Sequence, residues 1–409
     1  MGALLGVIGV LLFIGVIRSQ PPLILFCCLL GGATLLSALW SRRSRERVTY
    51  RRSFEPARIF PGEESDYVIE ITNRKRLPLP WAELEERLPK QLVAVYDPDV
   101  TVEGGWHRRR TISLGWHERL VLRQRFTCRE RGEYLVGPSD LETGDPLGIF
   151  PVNMHVPETR SLIVYPRIAA LDWEGIRSRF PFGPIRARPP VLEDPSWFAG
   201  IRDYRPGDPR HWVDWKATAR RQRLQTRVFT PTTLTNVVVA LNMQTLQYAW
   251  QGYDEARLEA SIGVAAALVR NLLMQRCAVG LAANSSGGSI EQFQAYLPPS
   301  QRPSQLAEAL AMLARLSAIP TLAFGAFLRR VAANFPYGAS LIVVAAYLDE
   351  ESIDEMALLA ERGHSIELFF LGPELPPDLP REIPVITLTD VDFEPLSAMA
   401  SDNALEASR

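Results

Sequence analysis

Val237-Val238-Val239-Ala240-Leu241, followed at once by Asn242-Met243-Gln244-Thr245-Leu246, is a short wholly apolar run ending in polar residues. A run of that length without alternation is the pattern of a strand buried on both faces. The stretches after it repeat the theme. Ala278–Ala282, Leu341–Val344, Ile366–Leu371 and Pro384–Leu388 read as further strands. Glu255–Arg276, Gln305–Leu316 and Ser352–Arg362 read as helices between them. Strands alternating with helices predict a parallel, doubly wound α/β sheet over residues 236–390. Ligands on such sheets bind beyond the strand C-termini, so Asn242–Leu246 stands where a ligand would be held.

Upstream the period changes. Asp66–Thr72 and Arg119–Phe126 alternate polar and apolar residues, and Gly62, Asn73, Gly104-Gly105, Gly132, Gly137 and Gly144 break the runs. That spacing predicts an all-β, sandwich-like domain over 47–166. His107, His117 and His155 within it have no metal-ligand spacing.

The N-terminus is different again. Gly2–Ile17 and Leu23–Trp40 carry no charge and are separated by Arg18-Ser19-Gln20-Pro21-Pro22. As helices they would reach about 24 and 27 Å, slightly short of a hydrocarbon core of about 30 Å. Nothing basic precedes the first run and a second apolar run follows it, unlike a signal peptide. Neither run has the polar face of a core helix. Residues 1–46 therefore read as a transmembrane α-hairpin with a basic flank, its two helices broken by Pro21-Pro22. Arg42, Arg43, Arg45, Arg47, Arg51 and Arg52 follow the second span, against one arginine in the connecting loop. The positive-inside rule then puts the hairpin in the cytoplasmic (inner) membrane with the rest of the chain in the cytoplasm. The same arginines could hold anionic lipid head groups, although a topology signal is their simpler role.

Composition narrows the classes. The chain has 409 residues, with 45 Lys+Arg against 46 Asp+Glu and a formal net charge of −1. That balance argues against nucleic acid as a partner. Four cysteines in this length exclude a disulfide scaffold, and no CxxC or Cys/His cluster suggests zinc. Neither GxSxG, a Walker A loop nor HExxH is present. Ser285-Ser286-Gly287-Gly288 lacks the ending of a phosphate loop and reads as a turn.

The densest stretch is Asp194–Thr230, DPSWFAGIRDYRPGDPRHWVDWKATARRQRLQTRVFT, inside a linker and signature segment over 167–235. Its candidate functional residues are Arg202, Asp203, Tyr204, Arg205, Gly207, Asp208, Arg210, Trp212, Asp214, Trp215, Lys216 and Arg220. Pro206-Gly207-Asp208 is a turn signal, and Asp208 before Pro209 could cap a short helix. Interleaved Arg and aromatic side chains can form a docking surface or a phosphate site. The same residues can clamp the segment to its neighbours through Arg–Asp pairs and stacked rings, and the interleaved acids favour that reading. His211 beside Trp212 reads as a packed histidine. From Asp390 the chain turns polar and small, so 391–409 is expected to be a frayed tail.

IRDYRPGDPRHWVDWKATAR strongly resembles the signature of a bacterial family of unknown function, domain-of-unknown-function family number fifty-eight. RGEYLVGPSDLETGDPLGIF (Arg131–Phe150) and the paired spans fit the same family. The resemblance implies that the α/β domain is von Willebrand factor A-like and that the partner is a MoxR-type AAA+ ATPase. In a von Willebrand factor A domain the first strand ends in Asp-x-Ser-x-Ser, whose carboxylate and hydroxyls hold Mg²⁺. Here Asn242 replaces the Asp, Gln244 the first Ser and Leu246 the second. Asp349 lies beyond the place of the later metal-side Asp and could cap the next helix. The metal site is degenerate, and no cofactor is expected.

The leading expectation is a multidomain, membrane-tethered, non-enzymatic scaffold or adaptor that binds a protein partner and, through its hairpin, membrane lipid. One alternative is a metal-dependent ligand-binding module in which Asn242 and Thr245 hold Mg²⁺. The other is an envelope-related enzyme whose Asp and His groups meet only on folding.

Overall fold

The computed structural model describes residues 2–94, 101–102, 106–174, 198–205, 212–229, 236–286, 295–336 and 339–394. The chain forms two compact units, one running to Pro166 and the other spanning Arg167–Glu394.

The first unit opens with helices Gly2–Ile17 and Pro21–Ser44. Pro21 and Pro22 occupy the first turn of the second helix, where a missing N–H costs nothing. Among the described residues this helix alone is long and apolar enough to cross a membrane; the 16-residue helix before it is shorter. Its C-terminal carbonyls meet Lys75, whose ammonium donates to Ser44 O and, at 3.3 Å, to Glu46 O. A cation there also complements the helix dipole.

Strands Val48–Glu55, Glu64–Asn73 and Arg119–Thr127 pair antiparallel in one sheet, and Leu79–Leu88, Trp106–Leu114, Ser139–Thr143 and Val152–Val156 in another. The alternation works as the sequence requires. Tyr67, Ile69 and Ile71 of one sheet share a core with Leu79, Ala82, Leu84 and Leu141 of the other, while the intervening side chains face outward. A carboxylate is buried in this core. The Glu86 carboxylate accepts from the Tyr50 hydroxyl at 2.8 Å and the Tyr67 hydroxyl at 2.6 Å, and burial pushes its pKa up.

The second unit holds a six-stranded sheet. Its order is Ala295–Ser300, Ala278–Ala283, Asn236–Leu241, Ser340–Ala345, Ile366–Phe370, Val385–Thr387. All neighbours are parallel except the first pair. Val238, Ala240, Leu341, Val343 and Leu368 pack under helices Phe324–Ala332 and Glu350–Glu361. The alternate residues Val237, Val239, Ile342 and Val344 are equally buried, and helix Glu255–Met274 contacts these strands. Helices therefore cover both faces, which is why the strands lack polar alternation.

Three features differ from the sequence reading. The edge strand Ala295–Ser300 and the helix Phe324–Ala332 were not expected. Pro298 and Pro299 hid the strand, and an edge position is where a strand tolerates proline. Gly280 faces it, where a Cβ would lie 2.9 Å from Leu297 O. The tail is also held further than 390. Ala170 N donates to Asp392 O at 2.7 Å, and Arg270 forks onto the Glu394 carboxylate, with Nη1 to Oε2 at 2.7 Å.

Candidate functional site

Strand Asn236–Leu241 leaves the sheet centre between neighbours whose connections run to opposite sides, the place where a doubly wound sheet opens a crevice. Asn242 follows it, and Asn284 follows the parallel neighbour Ala278–Ala283. Register pairs Leu241 with Ala283, so the two amides meet. Asn284 Nδ2 donates to Asn242 Oδ1 at 3.0 Å and to Leu322 O at 3.1 Å, while Asn284 Oδ1 accepts from Met243 N at 2.8 Å. Asn242 Nδ2 donates to Tyr347 O at 2.7 Å, and Asn242 Oδ1 also accepts from Gln244 N at 3.0 Å. Asn242 is 1% exposed and Asn284 0%. Two neutral amides thus tie three strand ends together with both oxygens and both nitrogens engaged.

This donor set does not suit Mg²⁺, which wants charged oxygen ligands and open positions. The Asn242 oxygen already accepts twice. Thr245 Oγ1 accepts from Asp254 N at 2.8 Å, at the start of helix Glu255–Met274, and Gln244 Nε2 donates to Leu246 O at 3.0 Å. Asp349 caps helix Glu350–Glu361 by accepting from Ser352 N at 3.0 Å. Among the described residues no group of three or more His, Cys, Asp or Glu side chains could hold a metal ion.

Beside the closed crevice the chain exposes aromatic rings. Tyr248 and Trp250 stack with centroids 5.7 Å apart, Trp250 is 80% exposed, and Tyr253 is exposed three residues past it. Tyr347 stands at the same sheet end. Burial pushes its hydroxyl pKa up, and the charges of Asp349 and Glu350 and the neighbouring Tyr248 push the same way. Sequence reasoning missed Asn284 and this ledge. The signal for Asn284 was present, since it ends its strand as Asn242 ends the adjacent one.

The signature segment is a second construction. Strands Phe198–Asp203 and Gln225–Phe229 pair antiparallel and enclose helix Trp215–Arg221. Asp214 caps that helix, accepting from Ala217 N at 2.9 Å through Oδ1 and from Arg227 Nε at 3.0 Å through Oδ2. The Ala217 N–H bond, then Arg227, hold its carboxyl below the usual range. Gln225 is buried; its Nε2 donates to the Asp203 carboxylate and its backbone N to Thr218 Oγ1 at 3.0 Å. Tyr204 N donates to Leu224 O at 2.8 Å, and Thr226 Oγ1 to Trp212 O at 3.5 Å.

The predicted residues therefore divide. Asp203, Tyr204, Trp212 and Asp214 knit the hairpin together. Trp215, at 72% exposure, together with Lys216, Arg220, Arg202 and Arg205, lies on its surface. Gly207, Asp208 and Arg210, with the helix cap expected at Asp208, lie outside the described residues, as does His211; the described helix starts at Trp215 with Asp214 as its cap.

A family model described as "Protein of unknown function DUF58" matches residues 200–367, from the signature hairpin into the fifth strand of the sheet. The matched segment of this chain is similar to that family. The "Uncharacterized protein YeaD" of Bacillus subtilis (strain 168) is 21% identical over 248 residues, 60% of this chain and 58% of that protein. The chain thus spans about 58% of the length of the curated relative it matches. Solved structures similar to part of the chain include a CARDB domain from Pyrococcus furiosus in complex with di-metal ions. It is 16% identical and covers 29% of this chain and 91% of that one, with a TM-score of 0.21. A non-cellulosomal cohesin from Archaeoglobus fulgidus is 14% identical, over 33% of this chain and 99% of that one, with a TM-score of 0.22. Scores of this size carry no weight on fold or function.

Proposed function

We propose that this chain is a membrane-tethered, non-enzymatic adaptor whose α/β unit is a von Willebrand factor A-like domain with its cation site replaced by an amide clamp. The hairpin makes two spans of the cytoplasmic membrane, the soluble units face the cytoplasm, and the partner is a protein, a MoxR-type AAA+ ATPase on the family resemblance. One observation carries the reading. At the sheet end where such a fold engages ligands, Asn242 and Asn284 bond to each other and to the surrounding backbone, while Tyr248, Trp250 and Tyr253 stand exposed alongside. Exposed Trp and Tyr on a rigid edge suit protein docking. A closed, uncharged crevice suits neither cation binding nor acid–base work.

The test is photo-crosslinking in intact cells, with a probe at Trp250 or at Trp215, followed by identification of the adducts. A discrete protein adduct at either position supports an adaptor. Adducts without an ATPase of the MoxR type would remove that partner, and no protein adduct at either probe would remove the adaptor reading.

A further inference from the structure

We propose that the loop Gly144–Phe150 is a second membrane contact, dipping an apolar tip into the lipid interface beside the anchor helix Pro21–Ser44. The proposal rests on the reading that this helix spans the bilayer.

The last two turns of the helix are fastened to the loop. Ser41 Oγ donates to Phe150 O at 2.6 Å and Ser44 Oγ to Gly144 O at 3.1 Å. Ser37 hydrogen-bonds the carboxylate of Asp145. That carboxylate is fully buried and organises the loop from within, accepting from Leu147 N at 3.1 Å and Phe150 N at 2.7 Å. Trp81 Nε1 donates to Asp145 O at 2.8 Å from the neighbouring strand. The one acidic side chain of the loop is thereby turned inward. What remains outside is Pro146-Leu147-Gly148-Ile149, with Leu147 64% and Ile149 39% exposed and no polar side chain among them.

The level of this tip follows from the helix. Leu35, Leu36 and Leu39 are exposed on its surface, as lipid-facing residues must be, and exposed Arg42 and Arg43 follow at head-group depth. Ser41 lies between these two groups, and Ser41 is bonded to Phe150. The tip therefore meets the boundary between acyl chains and head groups, where an apolar loop buries its side chains and an arginine pair finds anionic lipid. Exposed in water, the same four residues would form an apolar tip with no occupant. The bilayer supplies one continuous with the helix surface.

The consequence is that the β-rich unit is held flat against the membrane rather than carried on a free tether. The experiment is spin-label accessibility on the full chain in vesicles of phosphatidylcholine and phosphatidylglycerol. Labels go one at a time at Leu147, at Leu29 in the helix and at Val121 on the outer face of the sheet. Oxygen-favoured accessibility at Leu29 and Leu147, with nickel-chelate-favoured accessibility at Val121, supports the proposal. An oxygen-favoured Leu29 with a nickel-favoured Leu147 overturns it while leaving the span intact. A nickel-favoured Leu29 removes the span, and the proposal with it.

Discussion

Asn242→Asp tests the amide clamp most directly, because it puts there the carboxylate that a cation site would use. The carboxylate keeps both of the acceptor bonds of Asn242, from Gln244 N and Asn284 Nδ2, each at 3.0 Å. It loses the donor. An oxygen then faces Tyr347 O across the 2.7 Å formerly spanned by an N–H. An orphaned buried carbonyl costs about 1–3 kcal/mol, and a buried carboxylate without a cation adds several kcal/mol unless it takes up a proton. A protonated carboxyl can donate to Tyr347 O, so the cost shrinks at low pH. The expectation is a loss of about 1 kcal/mol near pH 5, rising to about 3 kcal/mol or more near pH 8. Hydrogen exchange of the full chain in detergent reads it locally, in peptides covering Val237–Asn242 and Val343–Tyr347. Unchanged protection at pH 8 would refute the clamp. So would Mg²⁺ that stabilises the unsubstituted protein, since the amide would then be a weak ligand in a working metal site.

Lys75→Met leaves the carbonyls of Ser44 and Glu46 without their ammonium donor and should lower the melting temperature of the first unit, by about 1–3 kcal/mol in stability. Burial lowers the Lys75 pKa from 10.5 to about 8. Between those values the unfolded chain holds a proton the native one has released, so stability rises with pH there, and the substitution should flatten that rise in melts at stepped pH. Glu367, buried on strand Ile366–Phe370, has the opposite sign, since burial lifts its carboxyl from 4.5 to about 7. In that window the native state holds the extra proton, stability falls as pH rises, and Glu367→Gln should abolish up to about 3 kcal/mol of the slope in denaturant titrations. Asp214→Asn keeps a good helix cap but loses the Arg227 pair, whereas Asp214→Ala loses both. Exchange protection over Trp215–Arg221 should fall in the order wild type, Asn, Ala, and lost partner crosslinking with full protection would instead make Asp214 a contact residue.

How much of this was legible follows from the range of the interactions. The central strands showed as unbroken apolar runs because both faces are covered, and the sandwich strands alternated because one face is wet. The edge strand Ala295–Ser300 carries two prolines and pairs on one side only, so propensity spoke against it. Helix Phe324–Ala332 is nine residues long and contains Gly325, whose close approach to Glu351 is a tertiary fact no local pattern announces. In the signature, Phe198–Asp203 pairs with Gln225–Phe229 across a helix. Its Arg and Asp residues looked alike in sequence because each type both clamps and faces solvent. Asp214 and Trp215 are adjacent, yet one is engaged in the cap and the other is exposed.

An amide at position 242 has a consequence beyond its lack of charge. A carboxylate can only accept, so two strand ends bearing carboxylates repel until a cation lies between them. An amide both donates and accepts, so two of them on adjacent parallel strands complete each other with nothing added. Asn242 and Asn284 share one such bond, and backbone groups of Met243, Gln244, Leu322 and Tyr347 meet the rest. The sheet end is therefore tied by groups of the chain itself. What distinguishes that edge is its projecting rings at Tyr248, Trp250 and Tyr253, and on the proposed adaptor reading these are what a partner would meet.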